Sequence, residues 1–593
     1  MNNASLELGG TNWAEKDGNI LGYSVGDTSG KYSPQEFTFA RGSNLSATRI
    51  DRAGLIVKGR ENVLLQSNNF SNASWVKIRS SVSSGATDPF GGSNAWAFLT
   101  DTTADDQHYF SQSIAQSGVG TLSIYAKANG YNWLRLRLPS EEAFFDLANG
   151  VTGSSTTGIS ASMTNAGNGW YRCQVAIANM STNPNVFIHI AEGDGDIIIG
   201  GTPSGTDGLY IYASQLEKGL AASPYIPTTT TSAQAGVLEN TPRLNYTTGV
   251  ANPYLLLEPS RTNLFIQSEY FGSSYWTKSG ASVVSGFTSP EGLSNAYKLV
   301  EDTSTGGHQI FRRIVVTATD NYASLYAKPS GRDWIVLYDT YRDQGRYFNI
   351  STGVIGGVYR FAPVSEFIEP FQNGYYRIGI GVTSSTIDYQ LQVLLADSDG
   401  GAVYTGDGTS GAYIYGAQLE AGSYPTSYIP TYSVSATRAQ DVCNKLDASG
   451  EIGQTEGTMF LDISALSDDA TNRRVTLSDG TATNRMYISY KNYTNQIRAE
   501  VISAGVSVFD STYSSTDITQ FSKIALAYKL NDFAFYVDGT QVSTDTSGAV
   551  PTSLTAFKFE DGSGGSSFFG NVNQAALYKE RLTNAELATL TTI

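Results

Sequence analysis

Apolar and polar residues alternate with a period of two along much of this chain, and no window of useful length repeats at 3.6 residues. Thr121–Lys127 and Trp133–Leu138 alternate most clearly, with Arg135 and Arg137 on the polar side of the second. Leu209–Leu216 and Ala412–Leu419 carry the same pattern and predict strands. Further on, Thr458–Ile463, Arg485–Tyr490, Ser522–Tyr528 and Phe533–Val537 follow in succession, the last running into an Asp538-Gly539 turn that signals a hairpin. One short helix is predicted near the C-terminus, where Thr583 and Glu586 have capping-box spacing. The pattern is that of an all-β protein.

A long internal duplication organises these strands. Arg60-Glu-Asn-Val-Leu-Leu-Gln-Ser67, followed by Phe70 and Trp75, recurs as Arg261-Thr-Asn-Leu-Phe-Ile-Gln-Ser268, followed by Phe271 and Trp276. The match continues through Tyr125-Ala-Lys127 and Tyr326-Ala-Lys328, and ends at Gln215-Leu-Glu217 with Tyr225-Ile-Pro227 against Gln418-Leu-Glu420 with Tyr428-Ile-Pro430. A repeat of this length is a whole domain. We therefore expect two duplicated modules, 59–231 and 256–436, joined by a linker at 232–255. Each should hold roughly eight to ten strands in a jelly-roll β-sandwich. A third, non-duplicated β-sandwich is expected over 445–593. Residues 1–58 have too few apolar clusters to build a core alone and read as an arm or attachment segment, with a flexible tail as the alternative.

Composition narrows the function. The 593 residues carry a formal net charge of −16, which argues against nucleic acid or anionic membrane as a partner. No apolar run approaches membrane-spanning length, and the start lacks the basic and apolar regions of a secretory signal. Two cysteines, Cys173 and Cys443, sit at non-equivalent places and imply neither a disulfide framework nor a zinc site. Only three histidines exist, so a catalytic triad or His-rich metal site is nearly excluded by count.

Several phrases resemble structural proteins of tailed bacteriophages, especially marine and cyanobacterial ones. Leu255-Leu-Leu-Glu-Pro-Ser-Arg-Thr-Asn-Leu264 is similar to the segment that opens their β-sandwich modules, and Tyr404–Gly411 running on to Thr426-Ser-Tyr-Ile-Pro430 to the segment that closes them. Phe37–Gly59 resembles the lead-in of such fibre proteins. Lys523–Gly539 and Phe569–Leu590 resemble the concanavalin A-like lectin/glucanase superfamily. The resemblance implies a virion-surface fibre or decoration protein that adheres to host glycans, with other virion proteins as partners through the N-terminal segment. It also implies a homo-oligomer, a trimer first of all. A purely structural decoration protein is the alternative, and a polysaccharide depolymerase the less favoured one. The paired acidic residues of some glucanases in that superfamily, spaced Glu-x-Asp-x-x-Glu, have no counterpart here, so no catalytic residue is nominated and the chain is expected not to be an enzyme.

Sugar binding calls for aromatic platforms with planar polar neighbours. Tyr131, Trp133, Trp334 and Tyr341 lie in or beside mid-module strands and are candidates, although aromatics paired between copies also serve a shared core. The longer stretch 356–372 of the second copy adds Tyr359 and Arg360 where the first copy has the small residues from Gly158 onward, and is expected to be a contact loop. Glu192, Asp194 and Asp196, and in the second copy Asp397 and Asp399, alternate with small residues as in a calcium loop or, equally, an acidic hairpin turn. Calcium is thus a candidate cofactor and no other is implied.

Overall fold

The computed structural model describes residues 4–10, 13–25, 32–138, 141–156, 160–180, 184–247, 249–383 and 387–593. It is an all-β molecule of tandem sandwiches with one α-helix, Asn584–Thr591, among the described residues. Thr583 and Glu586 cap that helix reciprocally, as their spacing predicts. No helix of the described residues is long and apolar enough to cross a membrane.

Each copy folds into two six-stranded antiparallel sheets with the same strand order. In the first copy the front sheet runs Ser160–Gly167, Trp170–Met180, Gly118–Asn129, Gly208–Glu217, Ala95–Thr100, Ser80–Ala86. Its back sheet runs Val151–Ser155, Glu141–Asp146, Trp133–Leu138, Asn185–Ala191, His108–Ser113, Val76–Ile78. The core lies between them: Leu122, Ile124 and Ala126 face Leu134, Leu136 and Leu138, with Phe70, Trp75 and Phe110 at one end. The copies thus exceed the expected strand number. The extra strands are edge strands such as Ser80–Ala86, whose Ser-rich sequence buries neither face and shows no apolar alternation.

The repeated phrases are the parts that close each sandwich. Trp75 and Trp276 are buried against Phe70 and Phe271, with ring centroids 5.6 and 5.3 Å apart. Asn62 donates to the carbonyls of Ser214 and Ile226, and Asn263 to those of Ala417 and Ile429, tying the first strand to the last. Gln215 donates to Glu217 at 2.6 Å and accepts from the Ile226 amide; Gln418, Glu420 and Ile429 repeat this. Buried polar groups must find partners, so these motifs recur because the fold needs them.

The N-terminal residues correct the expectation of an arm. Leu6–Gly9 pairs with Gly570–Tyr578, and Tyr32–Ala40 pairs with Val442–Lys445. The linker strand Tyr254–Leu257 also pairs with Gly570–Tyr578, Leu255 standing opposite Val572. Leu6, Leu8, Ile20, Phe37 and Phe39 are buried in one core with Leu461, Phe557 and Leu577 of the C-terminal sandwich. Too apolar-poor to fold alone, this segment completes a core built from the other end of the chain.

A short hairpin follows it. Thr48–Ile50 pairs with Ile56–Lys58, and the hairpin lies across the outer face of the second copy's front sheet, where Ile56 packs with Tyr326, Tyr375, Tyr415 and Tyr428. Lys58 forms buried ion pairs with Glu269 and Glu291, and Arg60, at the start of the first copy, also pairs with Glu291. This latch joins the hairpin and both copies.

Candidate functional site

A cleft of about 480 Å³ opens where the hairpin, the linker, the second copy and the C-terminal sandwich meet. The hairpin contributes Arg49, the linker Tyr254, the start of the second copy Glu258, and that copy's front sheet Phe367, Phe371, Glu369 and Arg377. The edge strand Ser365–Pro370 places Phe367 and Glu369 on one side, two residues apart and so on one face of the sheet. Arg377 donates to Ser324 Oγ at 3.1 Å and to the Thr426 carbonyl at 2.7 Å, with its guanidinium 5.7 Å from the ring centroids of both Tyr326 and Phe367. Burial works against its charge, but Tyr326 and Glu369 outweigh that and its pKa is raised. Its Nε, like that of Arg49, is buried without a hydrogen-bond partner. Tyr254 receives a 2.6 Å hydrogen bond from Asn245, and burial raises its phenol pKa. The cleft therefore offers aromatic faces flanked by planar, donor-rich side chains.

A buried ionic network holds the floor. Glu258 accepts from the Ser427 amide at 2.7 Å and pairs with Arg243 and Arg438; Asp441 pairs with Arg41 and Arg243. Burial would raise the Glu258 pKa, yet Arg438 and Arg243 hold it well below the usual carboxylate range. In the neighbouring latch, burial likewise opposes ionisation of Glu291, but Lys58 and Arg60 bring its pKa down to about 2 from an ordinary 4.5. A carboxyl depressed in the fold stabilises it above the unfolded-state pKa and loses that contribution as pH falls toward the folded one. We expect the thermal midpoint to drop steeply between pH 4.5 and 2. Calorimetry across that window should show it, with a shallower slope for Glu291→Gln; the same slope in both proteins would disprove the assignment.

The residues nominated from sequence lie outside this cleft, Trp133, Trp334 and Tyr359 on the outer faces of the back sheets. Trp133 and Trp334 occupy the same place in the two copies, each reaching across one strand to a glycine of the edge strand. A Cβ on Gly153 would come within 2.7 Å of Trp133, and one on Gly356 within 2.4 Å of Trp334. Tyr131 precedes Trp133 and is half-buried against the first copy's core. Trp334 and Tyr359 are brought together with Tyr338 and Tyr347, the Tyr338 and Tyr359 rings 4.9 Å apart. Arg360, exposed and with φ 67°, lies 5.5 Å from the Tyr359 ring, while Tyr341 is 42 % exposed beneath Arg313. In the first copy this face is charged instead: Arg135 donates to Glu142 and lies 3.2 Å from His189 Nε2, and Tyr109 packs on His189. Burial, then Arg135 and Arg137, lower the His189 pKa well below its ordinary value.

One expectation is corrected. The stretch 356–372 is not a free loop: Val354–Arg360 and Ser365–Pro370 are edge strands of the two sheets, and only the turn between them projects Phe361 and Val364. Their first-copy counterparts are Val151–Ser155 and Ser160–Gly167; Gly158 and Ile159 lie outside the described residues. Each acidic residue nominated for calcium accepts a hydrogen bond from a backbone amide or a hydroxyl. Asp194 accepts from the Ser154 amide and hydroxyl, Glu192 from the Gly200 amide and Asp196 from that of Ile198. Asp399 accepts from the Gly357 amide and Asp397 from the Ser398 hydroxyl. Among the described residues no three His, Cys, Asp or Glu side chains gather as a metal site. Asp194 and Asp399 thus satisfy amides of the edge strands, and Asp196 an amide of its own turn.

Sequence reasoning missed the cleft, although two signals point to it. Ser46-Ala-Thr-Arg49 recurs as Ser435-Ala-Thr-Arg438 and marks the connectors, and Arg377 ends Asn373-Gly-Tyr-Tyr-Arg377, the counterpart of Asn168-Gly-Trp-Tyr-Arg172.

Comparison with known proteins places the C-terminal sandwich. Residues 462–588 match the concanavalin A-like lectin/glucanases superfamily. No curated protein sequence matches the chain. Among solved structures, the CBM40 of a Ruminococcus gnavus IT-sialidase, bound to α2,3-sialyllactose, is 15 % identical over 24 % of this chain and 84 % of its own, with a TM-score of 0.21. The CBM22 tandem of Paenibacillus barcinonensis Xyn10C is 12 % identical over 68 % of this chain and 98 % of its own, with a TM-score of 0.20. Trypanosoma rangeli sialidase is 11 % identical over 99 % of this chain and 98 % of its own, with a TM-score of 0.22. Against the expectation that this protein is not an enzyme, the structural neighbours include sialidases. Likenesses of this depth assign no activity or substrate in its place.

Proposed function

We propose that this protein is a multi-domain glycan-binding protein of a virion surface, and that the cleft between the second copy and the C-terminal sandwich takes a saccharide. The observation that carries the reading is the cleft itself: Tyr254, Phe367 and Phe371 supply ring faces for the C–H side of a pyranose, and Arg49 and Arg377 line it with planar guanidinium groups. The lectin-type superfamily match of the C-terminal sandwich supports it. The virion setting, with other virion proteins and host-surface glycans as partners and a trimer as the assembly, rests on the phage-like phrases of the sequence. Avidity through an oligomer would compensate for weak single sites.

The test is a glycan array with the full chain, followed by calorimetric titration of the best ligand. Phe367→Ala and Tyr254→Ala should each weaken binding about tenfold or more, the loss of a buried aromatic contact. Unchanged affinity in both variants would remove the cleft from the proposal. Imaging of particles with a labelled antibody tests the virion setting, and an unlabelled particle surface would refute it.

A further inference from the structure

The two copies carry the same tyrosines on the outer face of the front sheet, but among the described residues only one of these faces is covered. In the second copy Tyr326, Tyr415 and Tyr428 are buried beneath the hairpin, whose Lys58 ammonium lies 5.2 and 5.5 Å from the Tyr415 and Tyr428 ring centroids. In the first copy the corresponding Tyr125, Tyr212 and Tyr225 are only half-buried. Phe90 stands beside them, 73 % exposed, with its ring 5.8 Å from that of Tyr125 and 6.2 Å from that of Tyr212. A large ring left this open in a fold that covers its counterpart is an unused contact surface.

The substitutions on this face say what it accepts. The Lys58 latch needs Glu269 and Glu291. In the aligned phrases Glu269 becomes Asn68 and Glu291 becomes Phe90, so both carboxylates are absent from the first copy. A buried ammonium without a counter-charge is strongly unfavourable, so a cationic hairpin is no longer the matching occupant. What remains is aromatic surface with the Tyr125 and Tyr212 phenols as neutral donors; the Arg172 guanidinium beneath them lies 5.4 Å from the Tyr125 centroid, donates to Ser123 Oγ and has buried Glu217 as a nearby counter-charge. Asp88, the nearby acid, is committed to the Phe90, Gly92 and Asn94 amides.

We infer that the Phe90–Tyr125–Tyr212 face of the first copy is a second saccharide site, one that takes an uncharged pyranose against its rings. The site lies on a different sandwich from the cleft and does not depend on it. The duplication has therefore produced one face closed by the chain's own hairpin and one open to ligand.

The full chain carrying Phe367→Ala, which disables the cleft, is titrated with three neutral probes, cellohexaose, xylohexaose and mannohexaose, and with polygalacturonate as an acidic probe. At least one neutral probe should bind. Adding Phe90→Ala should weaken that binding at least tenfold with an unchanged melting temperature, and Phe90→Glu, which restores the second copy's residue, should abolish it. Equal binding with and without Phe90→Ala, preference for polygalacturonate, or no binding of any neutral probe would each overturn the inference. So would a synthetic peptide of residues 46–60 that binds the native chain and loses affinity with Phe90→Ala, since the face would then be a second hairpin dock.

Discussion

Lys58→Met should release the hairpin from the second copy and destabilise the molecule by about 3–5 kcal/mol, the usual cost of leaving buried charges without a partner. The magnitude follows from what remains. Glu269 and Glu291 are buried beside Tyr415, Tyr428 and Tyr432, whose hydroxyls donate to these carboxylates but carry no positive charge. Arg60 still reaches Glu291, which leaves Glu269 as the uncompensated group. Because the chain holds several sandwiches, unfolding need not be a single transition. Hydrogen exchange resolved to Tyr415 and Tyr428 therefore reads the effect more directly than a melting temperature. Combining Lys58→Met with Glu269→Gln and Glu291→Gln should recover most of the loss, because a neutral set no longer strands a charge. If Lys58→Met exchanged at native rates, the latch would have no energetic role.

The parts legible in the sequence were those with local or repeated signals. Thr121–Lys127 alternates because one face is core and the other is not, and it lies inside the strand Gly118–Asn129. The Gln-Leu-Glu phrases recurred because buried amide–carboxylate pairs close each sandwich. The remainder depended on contacts with no local trace. Leu6 stands opposite Leu577, and nothing in four apolar-poor residues announces a partner at the far end of the chain. The edge strands Val354–Arg360 and Ser365–Pro370 looked like a loop because edges need not alternate. The cleft was hidden for a related reason: Arg49, Tyr254, Phe367 and Arg377 come from separate segments, and each has an adequate structural explanation until the fold brings them together. The change from Glu291 to Phe90 within an otherwise matched Ser-Asn-Ala stretch was readable, but its meaning required seeing what covered one face and left the other bare.

The largest effect is expected from removing residues 1–40. Leu6, Leu8, Ile20, Phe37 and Phe39 are all buried in the C-terminal core. At about 1.5–3 kcal/mol for each fully buried side chain, their joint removal is comparable to the roughly 5–15 kcal/mol that typically stabilises a domain. Deletion also strips the strand Leu6–Gly9 from Gly570–Tyr578 and Tyr32–Ala40 from Val442–Lys445, leaving two ladders unpaired and prone to association. The truncated chain should lose the transition of the C-terminal sandwich while both duplicated copies stay folded. Proteolysis should then cut between 445 and 593 and spare 59–436. Phe37→Ala gives the same effect in smaller measure, about 3–5 kcal/mol, because its ring packs edge-on to Phe557 with centroids 5.6 Å apart. A peptide of residues 1–40 added back should restore protection by completing the same core. Native-like protease resistance of 445–593 without residues 1–40 would mean that the stretch matching the lectin/glucanase superfamily folds alone, and that the N-terminal strands merely decorate it.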